Sequence, residues 1–219
     1  MRLIFAKDLR VELSRGEVTI TSAFFGLLVV VLSSMAFLGG RSAQRELAGG
    51  VMWLSIAFAA VLSLGRSWAR ERDAGALDGL LVTPLRPSAL FAGKALGLWV
   101  FLTAIELVVL PATSLFFALD VFEVGPGVAV IALLTTPGIA AAGTLFGALT
   151  VRTSARDLAL SIVLFPLLAP VLLVAIAASR ALLGGTSIAD LSDFFRLILV
   201  FDLAFWAAGL ALFGTLVDD

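Results

Sequence analysis

The sequence predicts an all-α protein that crosses a lipid bilayer with about six helices. Three observations indicate this fold class: 61% of the residues are hydrophobic, 14% are charged, and the mean hydropathy is +1.11. Soluble globular domains have a much more polar balance. Because no long polar block interrupts the chain, we expect residues 1–219 to form a single transmembrane domain.

The leading segment, residues 1–17, is rich in charge and precedes the first apolar run. Within it Phe5, Leu9 and Leu13 recur at helical spacing, and charged residues occupy much of the remaining circumference. This pattern is typical of an amphipathic helix that lies along a membrane surface. We therefore predict an interfacial helix over residues 1–17.

Six apolar runs follow, each long enough to cross the hydrocarbon core. The predicted spans cover approximately residues 18–38, 48–64, 91–118, 127–149, 158–178 and 195–217. The first run is too long for the core of a signal peptide, so we expect it to be retained as a span. The third, fourth and fifth spans contain prolines, which leave helix carbonyls without donors; we expect these three helices to pack against protein.

Lys and Arg are unevenly divided between the two sides of the predicted bundle. One side collects the basic residues of segments 1–17, 66–94 and 152–156, whereas the other side has only Arg41, Arg45, Arg180 and Arg196. Basic residues are retained on the cytoplasmic side during membrane insertion. The distribution therefore predicts that both termini lie in the cytoplasm.

The connection between the second and third spans, residues 65–94, concentrates ionisable residues in a chain that has few of them. We call it the charged connection. The pattern predicts a helix over residues 66–84 with a narrow leucine edge at positions 77, 80 and 81, ended by Pro84 and Pro87. Gly75 and Gly79 each disfavour a helix by about 1 kcal/mol relative to Ala, and they fit a site where another backbone approaches closely.

Two interpretations of the charged connection remain open. In the first, it is a docking element for a soluble partner, and force applied to it moves the two spans that it joins. In the second, it is an ordinary loop whose positive charges fix topology. The second interpretation explains Arg66, Arg70 and Arg72, but it does not explain the interleaved acids, the paired glycines or the leucine edge.

Residue types that are missing exclude several classes of function. The chain has no cysteine and no histidine, which excludes disulfides, thiol catalysis and iron–sulfur clusters and removes the commonest metal and haem ligand. A net charge of −1 and a pI near 5.5 argue against a nucleic-acid partner. We accordingly predict no catalytic residues, no metal site and no cofactor bound by this chain.

No G-x-x-x-x-G-K-[ST] phosphate loop occurs either, since the Gly93-Lys94 pair is followed by Ala95 and lacks the earlier glycine. The chain therefore cannot hold ATP by that means. Any energy for transport must come from a partner.

Two acidic residues, Glu106 and Asp202, fall within predicted spans and form a candidate intramembrane polar site. A carboxylate at membrane depth is unfavourable by about 2.5 kcal/mol or more. Each acid therefore lines a polar path, is protonated and hydrogen-bonded to a neighbour such as Thr103, or lies shallow enough to reach water. If Glu106 lines a path, Glu106→Gln should lower transport-linked ATPase activity without disturbing assembly.

Several stretches resemble ABC-2 type exporter permeases, and more narrowly the haem exporter protein B family (CcmB) of cytochrome c maturation. Residues 70–84 read RERDAGALDGLLVTP and residues 90–97 read LFAGKALG. Further stretches similar to that family are LLTTPG at residues 133–138, the Gly143 and Gly147 pair, and IVLFPLLAPV at residues 162–171. The resemblance covers essentially the whole chain.

The resemblance implies a homodimer in the bacterial inner membrane that binds two copies of a cytoplasmic ABC ATPase subunit. It also implies a haem-handling membrane subunit, a small membrane subunit and a haem chaperone as partners, with ATP on the ATPase and haem carried by a partner. Residues 66–84 would be the coupling helix that contacts the ATPase. The implied contact or shaping residues are Arg70, Glu71, Arg72, Asp73, Gly75, Leu77, Leu80, Leu81 and Pro84.

The resemblance permits two tasks, haem export or ATP-driven release of a haem-loaded chaperone, and the lack of His, Cys and Tyr favours the second. Met35 and Met52 fit gap filling better than haem ligation. One alternative within the class is a small ABC-2 permease that exports a drug, lipid or polysaccharide. Another class would be a secondary transporter or a structural membrane subunit, which would function without an ATPase.

Overall fold

The computed structural model describes residues 2–37, 40–73, 86–150 and 156–218. In these ranges the regular structure is entirely helical, with seven α-helices and one short 3₁₀ turn at Ile188–Leu191. The helices are α1 Arg2–Arg15, α2 Glu17–Ala36, α3 Arg41–Asp73, α4 Pro87–Phe116, α5 Val121–Thr150, α6 Arg156–Leu183 and α7 Ser192–Asp218. The predicted all-α class is confirmed.

Six helices, α2 to α7, are long and apolar enough to cross a membrane, which confirms the predicted number of spans. Several helices extend beyond the apolar run that predicted them. Helix α4, for example, begins at Pro87 rather than near residue 91, because Pro87 occupies the first turn, where no backbone donor is needed. At the end of α6, Gly185 adopts φ +96° and Thr186 N donates to the carbonyl of Ala181, which closes the helix.

Helix α5 lies at the centre of the bundle and α7 at its edge. The buried share of the most apolar stretch is 72% for α5 and 67% for α3, but 28% for α2 and 17% for α7. The proline-containing spans α4, α5 and α6 are all partly buried, at 44%, 72% and 33%, as expected. Helix α5 is thus the most buried of the six spans.

Helix α1 forms where the sequence predicts the interfacial helix, and a sharp elbow joins it to α2. Gly16 adopts φ +62°, which glycine tolerates best. Oε1 of Glu12 accepts a hydrogen bond from the backbone N of Thr19 at 2.7 Å, and this satisfies a donor in the first turn of α2. Phe5 and Leu9 of the predicted apolar stripe are half-buried, and the Leu13 side chain lies outside the described residues.

Because consecutive spans run in opposite directions, the bundle has two distinct ends. The amino-terminal end holds α1, the end of α3, the start of α4, and the ends of α5 and α7. The opposite end holds the connections between α2 and α3, between α4 and α5, and between α6 and α7. The described parts of the charged connection, residues 65–73 and 86–94, belong to the amino-terminal end.

Candidate functional site

The predicted coupling helix is described only in part. Helix α3 continues through residues 66–73 without a break from the span, since Gly65 alone is a weak helix breaker. Arg70 to Asp73 therefore prolong the span helix at the backbone level, and their side chains lie outside the described residues. The remaining implied contact residues, Gly75, Leu77, Leu80, Leu81 and Pro84, also lie outside the described residues.

The last turns of α3, which precede residues 74–85, pack tightly against α5. An added Cβ on Gly147 would overlap the indole of Trp68, and one on Gly143 would lie 2.5 Å from Cδ1 of Leu64. Leu64 and Trp68 are both buried. The predicted packing role of the Gly143 and Gly147 pair is therefore confirmed.

The start of α4, on the other side of the charged connection, makes a similar contact with α7. The Phe91 ring is completely buried, and an added Cβ on Gly209 would overlap it. The rings of Trp206 and Phe213 lie on either side, with centroids 5.7 Å and 5.6 Å from that of Phe91. We call these two contacts, Trp68 against Gly147 and Phe91 against Gly209, the glycine sockets.

A charged cluster at the same end joins three helices. Nζ of Lys94 on α4 lies 3.5 Å from Oδ2 of Asp8 on α1, and the two side chains are 7% and 16% exposed. The ammonium also lies 5.2 Å from the centroid of the Trp68 ring on α3. The sequence places Lys94 in the charged connection but does not reveal its partner, because no sequence pattern brings α1 next to α4.

Glu106 is buried near the middle of the bundle, at 4% exposure. Its Oε1 accepts a hydrogen bond from the hydroxyl of Thr136 on α5. That hydroxyl is also 2.7 Å from the carbonyl oxygen of Ala132, so its single hydrogen has two acceptors in reach. Thr103, the neighbour that the sequence suggested, donates instead to the carbonyl oxygen of Trp99. Glu106 therefore links α4 to α5.

Asp202 is 8% exposed and packs against Gly138 of α5, where an added Cβ would overlap its Oδ1. Among the described residues Oδ1 has no hydrogen-bond partner. Thr136 and Gly138 are two positions apart and thus roughly 200° apart around α5. The two acids therefore approach the same turn of α5 from opposite sides, and each makes its own contact with that helix.

At the opposite end a cavity of about 300 Å³ lies between α3, α4, α5 and α6. Its lining is mostly apolar, includes Met52, Pro111 and Pro126, and contains no charged side chain among the described residues. The polar lining residue Ser179 accepts a hydrogen bond from Nε1 of Trp53. The sequence draws attention to Met52 and Pro111 but does not predict a cavity there.

The chain resembles known proteins over most of its length. The family model described as CcmB protein matches residues 1–215. The chain is 30% identical over 184 residues to heme exporter protein B of Bradyrhizobium diazoefficiens, covering 83% of this chain and 82% of the relative. It is 31% identical over 176 residues to heme exporter protein B of Rhodobacter capsulatus, covering 79% of each chain. The protein of the same name from Haemophilus influenzae is 28% identical over 181 residues, covering 81% of this chain and 80% of the relative.

Proposed function

The chain belongs to the CcmB protein family, and from that premise we propose that it is the membrane subunit through which a separate ATPase drives a haem-handling step. As a member of this family it is a transporter membrane subunit of cytochrome c biogenesis in the bacterial inner membrane, with a non-catalytic role. The sequence lacks a phosphate loop, so ATP hydrolysis is assigned to the partner.

The proposed assembly contains two copies of this chain and two copies of the ATPase subunit. A haem-handling membrane subunit, a small membrane subunit and a haem chaperone complete it. Both termini and the charged connection face the cytoplasm, as the excess of Lys and Arg on that side supports. ATP is bound by the ATPase, and haem by the haem-handling partner.

The glycine sockets are the observation that carries this proposal. Residues 66–84 are the part that the ATPase would contact, and the helices that flank residues 74–85 each carry a large ring pressed onto a glycine. Close packing transmits displacement because it leaves no free volume to absorb it. A push on the connection would therefore be passed from α3 to α5 and from α4 to α7.

Of the two tasks open to this family, we favour release of the haem-loaded chaperone over passage of haem through this chain. Haem carries two propionate groups. None of the described side chains that line the cavity at the opposite end is charged, so none can pair with them. Among the described lining residues the only soft ligand is Met52, whose side chain is buried. Mechanical coupling needs neither a haem ligand nor a charged path.

Purification of the intact assembly from its native membrane tests the proposal. We expect the ATPase to co-purify and the double variant Glu71→Lys/Asp73→Lys to reduce its association about tenfold, because charge reversal at a contact surface opposes the partner's charges. The matched control, Glu46→Lys/Glu123→Lys, reverses two exposed acids at the opposite end and should leave association unchanged. An assembly without an ATPase, or parental association of the first variant, would contradict the proposal.

A further inference from the structure

Helix α1 is attached to the bundle at two points. Near its end, Glu12 and Gly16 form the elbow to α2, with Oε1 of Glu12 held at 2.7 Å by the backbone N of Thr19. In its middle, Asp8 pairs with Lys94 of α4 at 3.5 Å. A helix that rests on a membrane surface is held by apolar contact with lipid and by attraction to charged head groups, and neither requires an ion pair with a spanning helix. The second attachment therefore calls for a separate explanation.

Lys94 lies about 10 Å along α4 from Pro87, within the membrane-spanning segment, and only 7% of it is exposed. A lysine at such a place normally reaches the interface or pairs with an acid, because an unpaired buried ammonium is very unfavourable. Here the ammonium turns inward to Asp8 and lies over the Trp68 ring. The position of α1 is therefore tied to α4 by a buried charge.

Two of the three elements joined by this cluster, the end of α3 and the start of α4, flank in the chain the segment on which the ATPase would act. Trp68 precedes the end of α3 by about one and a half turns, and Lys94 follows the start of α4 by about two turns. The Trp68 side chain also fills the glycine socket on Gly147. One cluster thus connects α1, both helices that flank residues 74–85, and the central helix α5.

We propose that Asp8 and Lys94 are positioning residues whose ion pair holds α1 against α4, so that α1, the end of α3 and the start of α4 move as one body in each ATPase cycle. This inference rests on the proposed function for its motor. It assigns to α1 a mechanical role, and it predicts that breaking the pair uncouples hydrolysis from cytochrome c formation while the ATPase stays bound.

Charge exchange tests the pair in the purified complex and in cells. Asp8→Lys and Lys94→Asp should each lower cytochrome c yield per unit of membrane-inserted chain about tenfold, while the double exchange recovers most of the loss. ATPase association should stay parental in all three variants. Lys7→Met is the matched control, because Lys7 is a more exposed neighbour of the same carboxylate at 3.3 Å, and its yield should be parental.

A covalent variant covers the case in which single reversals fail to insert. An added Cβ on Gly97 would lie 3.7 Å from Cβ of Asp8, within the range of disulfides, and the chain has no cysteine of its own. The variant Asp8→Cys/Lys94→Met/Gly97→Cys removes both charges of the pair together. We expect coupling of ATPase activity to chaperone release in reconstituted complex to be high when this variant is oxidised and about tenfold lower after reduction.

The outcomes separate the two proposals. Parental yield of both single reversals with the complex intact, or a reduced triple variant that works as well as the oxidised one, would overturn the positioning role. Failure of the disulfide to form would overturn the docking of α1 on α4. A parental complex that contains no ATPase would instead overturn the proposed function.

Discussion

The two ends of the bundle are packed in different ways. At the amino-terminal end, rigid rings press onto Gly147 and Gly209, and a buried ion pair fixes α1. At the opposite end the helices leave a cavity of about 300 Å³ beside Pro111 and Pro126. A close glycine contact occurs there too, at Gly127, but its neighbour is the flexible end of Leu182. Under the proposed function, the difference predicts that movement is transmitted at one end and absorbed at the other.

The largest expected effect comes from emptying a glycine socket. Phe91→Ala removes a fully buried ring and should lower the free energy of unfolding by about 3–5 kcal/mol. Leu119 borders the cavity at the opposite end, and Leu119→Ala should lower the free energy of unfolding by clearly less than Phe91→Ala does. Thermal unfolding in detergent measures both. Equal losses would remove the contrast between the two ends.

A smaller effect is expected from replacing a socket glycine with alanine, and a second glycine of the same helix serves as the control. Gly147→Ala on α5 should destabilise by about 1–3 kcal/mol, because the new methyl group overlaps the Trp68 indole. Gly125→Ala, also on α5, meets only an ordinary contact of 3.6 Å with Val121; the helix preference of Ala and the restriction imposed by the following Pro126 oppose each other, so stability should change by less than about 1 kcal/mol. An unfolding temperature of Gly147→Ala equal to the parental one would show that Trp68 does not pack closely on Gly147.

The smallest effect is expected at Glu106, which contacts Thr136 of α5 between the two ends of the bundle. Glu106→Gln should retain stability and ATPase activity, since the amide still bonds to the Thr136 hydroxyl. Glu106→Leu should lose about 0.6–2 kcal/mol, the range found for polar contacts between membrane helices. Thermal unfolding and ATPase rate of the purified complex check both variants. A loss of activity in Glu106→Gln with unchanged stability would restore the polar-path alternative.

The sequence predicted the fold class and the number of spans correctly, and it identified Gly143 and Gly147 as packing positions. It also selected Glu106 and Asp202 as unusual, and both are buried against α5. It did not identify their neighbours, since the proposed partner Thr103 bonds to its own helix. It missed the Asp8 and Lys94 pair altogether, because the two residues are far apart in the chain. The coupling helix at residues 66–84 stays a prediction.

Composition and spacing alone determined that this chain is a bundle of six spans. A helix of about 20 apolar residues is long enough to cross the hydrocarbon core, and it makes its backbone hydrogen bonds within itself. The order of residues likewise determined where glycines and prolines fall along each span. The tertiary structure alone decided which helices are neighbours. The rings that face Gly147 and Gly209, and the acid that pairs with Lys94, follow from that arrangement, since contacts between helices depend on rotation and register that local sequence does not encode.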